Sequence, residues 1–202
     1  DLVDGNALGA LRDRALLQVM FSTALRLVSL TAANVADLDP LDAVLTYAGK
    51  GDRGTKGRRA YLSASALDAL RRYLSARRAA NGGTLDPQAP LFVAEGNRAG
   101  GGRLTARSMR RIIVGLMEKA GHVRRDETGH IARPRVFSAH SLRRSALTAA
   151  YDVAGLDAAQ TLAGHADPAT TRRHYARVQK GKVLKELAGA LDLPSLKESG
   201  DK

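Results

Sequence analysis

The sequence predicts a mainly α-helical fold with a small antiparallel β-sheet or hairpin on one side, built as a single domain. Three observations carry this. Apolar residues recur at helical spacing between the Gly- and Pro-rich stretches, and one pair of short β-prone runs flanks a glycine-rich basic loop. A chain of 202 residues with 44% hydrophobic content is long enough for one sizeable core, and nothing in its patterning suggests a second.

In chain order, Asn6 is a plausible N-cap for a helix carrying Leu8, Leu11, Ala15, Leu16, Val19 and Met20 on one face, a core-packing pattern. The run from Ser22 to Asp39, STALRLVSLTAANVADLD, then sets Arg26 alone in an apolar segment. By itself that is a surface arginine between two helices. Ala43 to Tyr47 and Ala60 to Leu62 read as strands around the loop GKGDRGTKGRR, residues 49–59. A lysine in a glycine-rich loop suggests a nucleotide-binding P-loop, but the required GxxxxGK[ST] spacing is absent and the loop leads into a strand rather than a helix.

Ser63 or Ser65 can cap the next helix, which turns Leu67, Leu70, Tyr73 and Leu74 inward and Arg71, Arg72, Arg77 and Arg78 outward. Residues 79–90 read as a loop, Leu91 to Val93 as a strand, and 94–102, with four glycines, as another loop. Thr105 caps a helix that packs Met109, Ile112, Ile113, Leu116 and Met117 and leaves Arg107, Arg110 and Arg111 on its other side. A charge stripe is more often a solvated face than a contact surface. Residues 121–134 are polar, basic and irregular. His122 and His130 stand there with Asp126 and Glu127, but their spacing matches no common ligand pattern, so no metal and no cofactor is expected.

The net charge of +12 and the pI near 10.6 imply a polyanionic partner, with nucleic acid ahead of a membrane surface. No run of 18 apolar residues and no signal-like N-terminus is present, so the expected setting is the cytoplasm. The lack of cysteine excludes disulfides, thiolate metal sites and cysteine nucleophiles together. A first residue of Asp1 rather than Met suggests a fragment of a longer protein.

The chemistry-bearing residues concentrate between His140 and Tyr175. His140 and Arg143, at i and i+3, share a helix face. Gly155 should end that helix as its C′ residue, Asp157 can cap a short successor that Gly164 closes, and Asp167-Pro168 starts another. His165 and Tyr175 therefore fall near helix ends. Arginine offers a planar fork that matches phosphate oxygens, histidine exchanges a proton near neutrality, and tyrosine is an oxygen nucleophile. A phenol with a pKa of about 10 needs neighbouring cations to favour its phenolate. Between Arg103 and Arg144 eleven Lys or Arg face three acids, which supplies them.

The ordered pieces HSLR (140–143), LAGH (162–165) and ATTRRHY (169–175) resemble the C-terminal signature of the tyrosine recombinases, the phage integrase family. The segment around Arg26 is similar to that family's first arginine box. The resemblance covers about Asn6 to Leu193. It implies the recombinase catalytic fold over residues 1–202, as the C-terminal domain of a longer enzyme whose N-terminal clamp domain is absent here. It implies a site-specific DNA recombinase that works through a 3′-phosphotyrosyl intermediate. Tyr175 would be the nucleophile, Arg26, Arg143 and His165 the phosphate ligands, His140 a proton-transfer aid, and Lys50, on the hairpin loop, the acid for the leaving 5′ oxygen. His174 is the alternative residue of interest beside Tyr175. Lys56 is the runner-up lysine and, with Arg107, Arg110, Arg111 and Arg144, a DNA-binding candidate. Double-stranded DNA is the implied partner, bound by a homotetramer, with a monomer in its absence and a nucleoid location. The tail from 181 to 202, with helical spacing at 183–193, would pack on its own domain or on a neighbouring protomer. A type IB topoisomerase and a DNA-binding module without chemistry are the alternatives.

The match departs from the family pattern in three places. Ala24 stands where a glycine usually precedes the Leu-Arg pair, and Ser29 stands where an acid usually follows the arginine. A serine there offers only a neutral hydrogen bond in place of a charge-assisted one. The interval from His165 to Tyr175 is one residue longer than usual, which a helix junction can absorb.

Overall fold

The computed structural model describes residues 8–49, 51–52, 54–94, 101–131 and 138–163. The expected fold class is borne out: the described chain is mainly helical with one small antiparallel sheet. Helix α1 (Leu8–Thr23) is followed by the short α2 (Leu27–Thr31) and a 3-10 turn (Val35–Asp37). Strands β1 (Leu38–Asp39), β2 (Val44–Tyr47) and β3 (Arg58–Tyr61) come next, then α3 (Ala64–Ala80), α4 (Ala106–Lys119) and α5 (Ala139–Ala163). Among the described residues no helix is long and apolar enough to cross a membrane.

The sheet runs β1-β2-β3, all antiparallel, with Leu38 opposite Leu45 and Tyr47 opposite Arg58. β1 is a strand the sequence did not announce: it is two residues long, shorter than any alternation signal can register. β3 begins earlier than expected because its register with β2 draws Arg58 and Arg59 into the ladder. Leu91 to Val93 does not form a strand. These residues are buried and held through single bridges, Asn34 to Pro90 and Val93 to Arg103, so they pack as core without a ladder.

Helix α1 is the central element, packed against α3, α4, α5 and β3. Its Leu16, Val19 and Met20 meet Leu70 and Tyr73 of α3, Met109 and Ile113 of α4, Leu45 of β2 and the loop residues Leu91 and Phe92 in one apolar cluster. The rings of Tyr73 and Phe92 stack 5.9 Å apart. The predicted caps are present: Ser63 Oγ accepts from the Ala66 amide at 3.3 Å, and Thr105 Oγ1 from the Ser108 amide at 3.1 Å. Asn6 lies outside the described residues.

One helical face was misread. Arg77 is not outward but buried, its Nη1 donating to the carbonyls of Pro90 at 2.6 Å and Leu91 at 3.4 Å. A loop that packs its apolar side chains inward leaves carbonyls that need donors, and a long arginine supplies them from the next helix. Arg12 is likewise buried, reaching Asp13 at 2.6 Å and the Val93 carbonyl at 3.3 Å.

Helix α5 breaks where the sequence placed a stop, though in another conformation. Gly155 has φ +78 and ψ −169, a region only glycine occupies readily, and not the left-handed helical cap. The chain resumes helix and folds back so that Ala159 and Ala163 join Ala24, Ala146 and Leu147 in a second apolar cluster. This return brings the end of α5 beside the end of α1.

Candidate active site

The junction of α1 and α2 is built around an unusual backbone. Ala24 takes φ +49, a left-handed conformation that costs a non-glycine residue roughly 1–2 kcal/mol. Glycine is the natural occupant. Here the alanine methyl is fully buried and belongs to the second apolar cluster, and burying a methyl-sized group recovers on the order of 0.8 kcal/mol. The turn lets Leu25 enter the core while Arg26, in extended conformation, opens α2 and stays exposed. No side-chain hydrogen bond or ion pair holds the Arg26 guanidinium among the described residues.

The start of α5 supplies the opposing wall. Ser138 Oγ accepts from the Ser141 amide at 3.2 Å and its carbonyl from the Leu142 amide at 3.1 Å, which seats the first turn. His140 is exposed, and Arg143, one turn on, is 5% exposed. The Arg143 fork is fixed by backbone: Nη1 donates to the Ala24 carbonyl and Nη2 to the Ala163 carbonyl at 2.6 Å. Both acceptors come from the two chain reversals just described. The strained turn at Ala24 and the fold-back after Gly155 therefore aim the same guanidinium.

Arg26, His140 and Arg143 line one cavity of about 310 Å³, closed by Met20, Leu25, Leu27 and Val28 and joined by Arg110 from α4. Three arginines and a histidine line it, and no carboxylate is among its described lining residues. The positive end of α5 opens on the same side through Ser138 and Ala139. Such a site is suited to an anion with several oxygens, and a phosphodiester is of that class.

The glycine-rich loop is locked at its root. Asp52 Oδ2 accepts from the Gly49 amide and from Arg58 Nε, both at 2.7 Å, while Oδ1 accepts from Arg58 Nη2 at 2.9 Å. The Arg58 hydrogen bond, and then the Gly49 amide, hold the Asp52 carboxyl below its ordinary value and raise the Arg58 guanidinium in turn. A Cβ at Gly49 would lie 2.5 Å from Arg58 Nε and 2.9 Å from Asp52 Oδ2, so a side chain there would have to push this clasp aside. Ser29, on α2, donates its hydroxyl to the Ala48 carbonyl at 3.0 Å. The residue that departs from the usual acid thus ties the helix of Arg26 to the strand end that leads into Lys50.

The sequence profile of the phage integrase family matches residues 4–182. The chain belongs to the phage integrase family. Tyrosine recombinase XerC of Pelobacter propionicus is 34% identical over 175 residues, which cover 86% of this chain and 50% of that protein. Tyrosine recombinase XerC of Corynebacterium efficiens is 31% identical over 174 residues, 86% and 48% of the two chains. The chain spans about half the length of the curated relatives it matches. In fold it is similar to XerA recombinase, with a TM-score of 0.62 and 24% identity over 83% of this chain and 54% of that one. It is also similar to XerH site-specific recombinase in a post-cleavage complex with palindromic difH substrate, with a TM-score of 0.63 and 23% identity over 91% and 48%.

As a member of the phage integrase family, the chain brings together Arg26, His140 and Arg143 of the six expected catalytic residues. Lys50, His165 and Tyr175 lie outside the described residues. Of the expected DNA contacts, Arg107, Arg111 and Arg144 are exposed away from the cavity lining, whereas Arg110 is part of it. The Lys56 ammonium is paired with Asp37, whose carboxylate also accepts from the Asn34 amide at 2.6 Å, so this lysine braces the hairpin against the 3-10 turn. Arg103 is committed to the Thr31 and Ala33 carbonyls and to Asn34 Oδ1. His130 sits in a turn organised by Asp126. The Asp52–Arg58 clasp and the Ser29 tether were not visible in the sequence. The one available signal was the glycine directly before Lys50.

Proposed function

We propose that this chain is the catalytic part of a site-specific DNA recombinase that cleaves and rejoins strands through a 3′-phosphotyrosyl intermediate. The observation that carries the reading is the cavity lined together by Arg26, His140 and Arg143, with no carboxylate among its described lining residues. Family membership and the similarity to tyrosine recombinases support it.

In the proposed reaction the Tyr175 oxygen attacks the scissile phosphorus in line, forming a Tyr–O–P bond as the P–O5′ bond breaks. Arg26 and Arg143 neutralise the non-bridging oxygens, and His165 donates a further hydrogen bond. The phenol proton leaves with help from His140, and Lys50 gives a proton to the departing 5′ oxygen. The phosphotyrosyl bond conserves the energy of the broken diester, so rejoining to a second 5′-hydroxyl needs no ATP. Fixed donors of this kind contribute on the order of 10²- to 10³-fold each. Arg107, Arg111 and Arg144 would meet backbone phosphates of double-stranded DNA, and Lys56 would join them only on leaving Asp37. Assembly as a homotetramer on DNA, with the 181–202 tail docked on a neighbour, and association with the nucleoid complete the reading.

The test is covalent capture. Nicked suicide duplexes recovered from a randomised pool should form a protease-sensitive adduct with the wild-type chain and none with Tyr175→Phe. Adducts with both proteins, or with neither, would remove Tyr175 as nucleophile.

A further inference from the structure

We propose that Arg110 is a further catalytic residue, whose guanidinium takes a non-bridging oxygen of the same phosphate that Arg26 and Arg143 hold. The proposal rests on the recombinase reading for the identity of that phosphate. The arginines of α4 and of the segment leading into it divide by geometry. Arg103 is spent on carbonyls, Arg107 and Arg111 point to solvent, and Arg110 lines the cavity with Arg26, His140 and Arg143. Its emergence point is fixed, because Met109 and Ile113 on the same helix are fully buried and α4 packs against both α2 and α5, the elements that carry the other three.

The cavity has need of it. Arg143 is oriented by giving at least two of its five N–H donors to the Ala24 and Ala163 carbonyls, so it acts chiefly as a buried fixed charge. Arg26 and Arg110 are the exposed forks, and neither has a hydrogen-bond or ion-pair partner among the described residues. They approach from different elements, α2 and α4, which lets each take a separate oxygen of a tetrahedral phosphate. Among the described residues no acid lies in the lining to divert either one.

Two measurements test this. The first follows the arginine Nε–Hε resonances of the whole chain during titration with inorganic phosphate at constant ionic strength. Arg26 and Arg110 should shift together with one dissociation constant while Arg107 and Arg111 do not follow it, and Arg110→Ala should weaken the Arg26 response about tenfold. The second compares adduct formation on the captured duplex carrying either the natural scissile phosphate or an uncharged methylphosphonate. Arg110→Ala should slow the natural substrate about 10²-fold. On the methylphosphonate, which has one charge fewer to neutralise, it should slow the reaction less than about tenfold. Arg107→Ala and Arg111→Ala should weaken binding equally on both. A response of Arg26 without Arg110, or an Arg110→Ala defect of the same size on both substrates, overturns the assignment. Phosphate binding through Arg110 in a wild-type chain that captures no DNA would support the anion site and sink the recombinase reading instead.

Discussion

The same conservative change at two arginines of one cavity should slow the chemistry alike but destabilise the fold at only one of them. Arg143 is 5% exposed, and its fork satisfies two backbone carbonyls that have no water to turn to. In Arg143→Lys the charge is kept, but an ammonium on a shorter reach has no planar fork to span both Ala24 and Ala163. One carbonyl is left unpaired, at a cost of about 1–3 kcal/mol. Against a typical domain stability of about 5–15 kcal/mol this is a large fraction. With a urea slope of about 2 kcal/mol/M, the unfolding midpoint should fall by about 0.5–1.5 M. Arg26 is exposed and has no side-chain partner among the described residues, so Arg26→Lys should stay within about 0.5 kcal/mol of the parent. Both changes should slow covalent capture by roughly 10²-fold. Urea unfolding followed by circular dichroism, beside adduct kinetics, reads both effects. Equal midpoints for the two variants, or a lower one for Arg26→Lys, would refute the claim that backbone carbonyls orient Arg143.

Three further outcomes follow from the same geometry. Gly155→Ala meets no neighbouring atom yet must hold a glycine-only conformation, which costs about 1–3 kcal/mol; differential scanning calorimetry should show Tm lowered by about 2–12 °C, and an unchanged Tm would mean the break in α5 is not needed. The Asp52 carboxyl is depressed first by Arg58 and then by the Gly49 amide, so the clasp should be complete at neutral pH. It should persist as acid is added through the ordinary aspartate value of about 3.9 and open only below it, because a depressed folded pKa loses its contribution as pH falls through that lower value. The Gly49 amide resonance reports this, and a midpoint at or above the ordinary value would contradict it. Ser29→Ala removes the tether to Ala48, so stability should drop by about 1 kcal/mol and cleavage should slow. If the tether acts through Lys50, a substrate with a 5′-bridging sulfur, whose thiolate leaves without a proton, should restore the rate; persistence of the defect on that substrate would make Ser29 merely structural.

Ser29 and Ala24 also show where sequence reasoning stops. As departures from a family pattern both read as weakened features. In the fold each has a specific partner: the serine hydroxyl can donate to a carbonyl, which a carboxylate cannot, and the alanine methyl fills the second apolar cluster that a glycine would leave open. Arg77 was read as outward for the ordinary reason that cations seldom bury, and Lys56 as a lysine for catalysis or DNA; each instead answers a need created by distant chain, bare carbonyls at Pro90 and Leu91 and a carboxylate at Asp37.

By itself the sequence determined the long helices with the caps at Ser63 and Thr105, the hairpin, the strongly positive charge and the motifs at Arg26, His140 and Arg143. All of these are local: periodicity, cap chemistry and short spacings act within a few residues and leave their mark on the chain directly. Only the tertiary structure decided that Arg110, and not Arg107 or Arg111, lines the cavity, and that Arg143 is aimed by carbonyls 119 and 20 residues away. Those facts depend on which backbone groups are left without water once the core closes, and that is a property of the packed molecule rather than of any stretch of it.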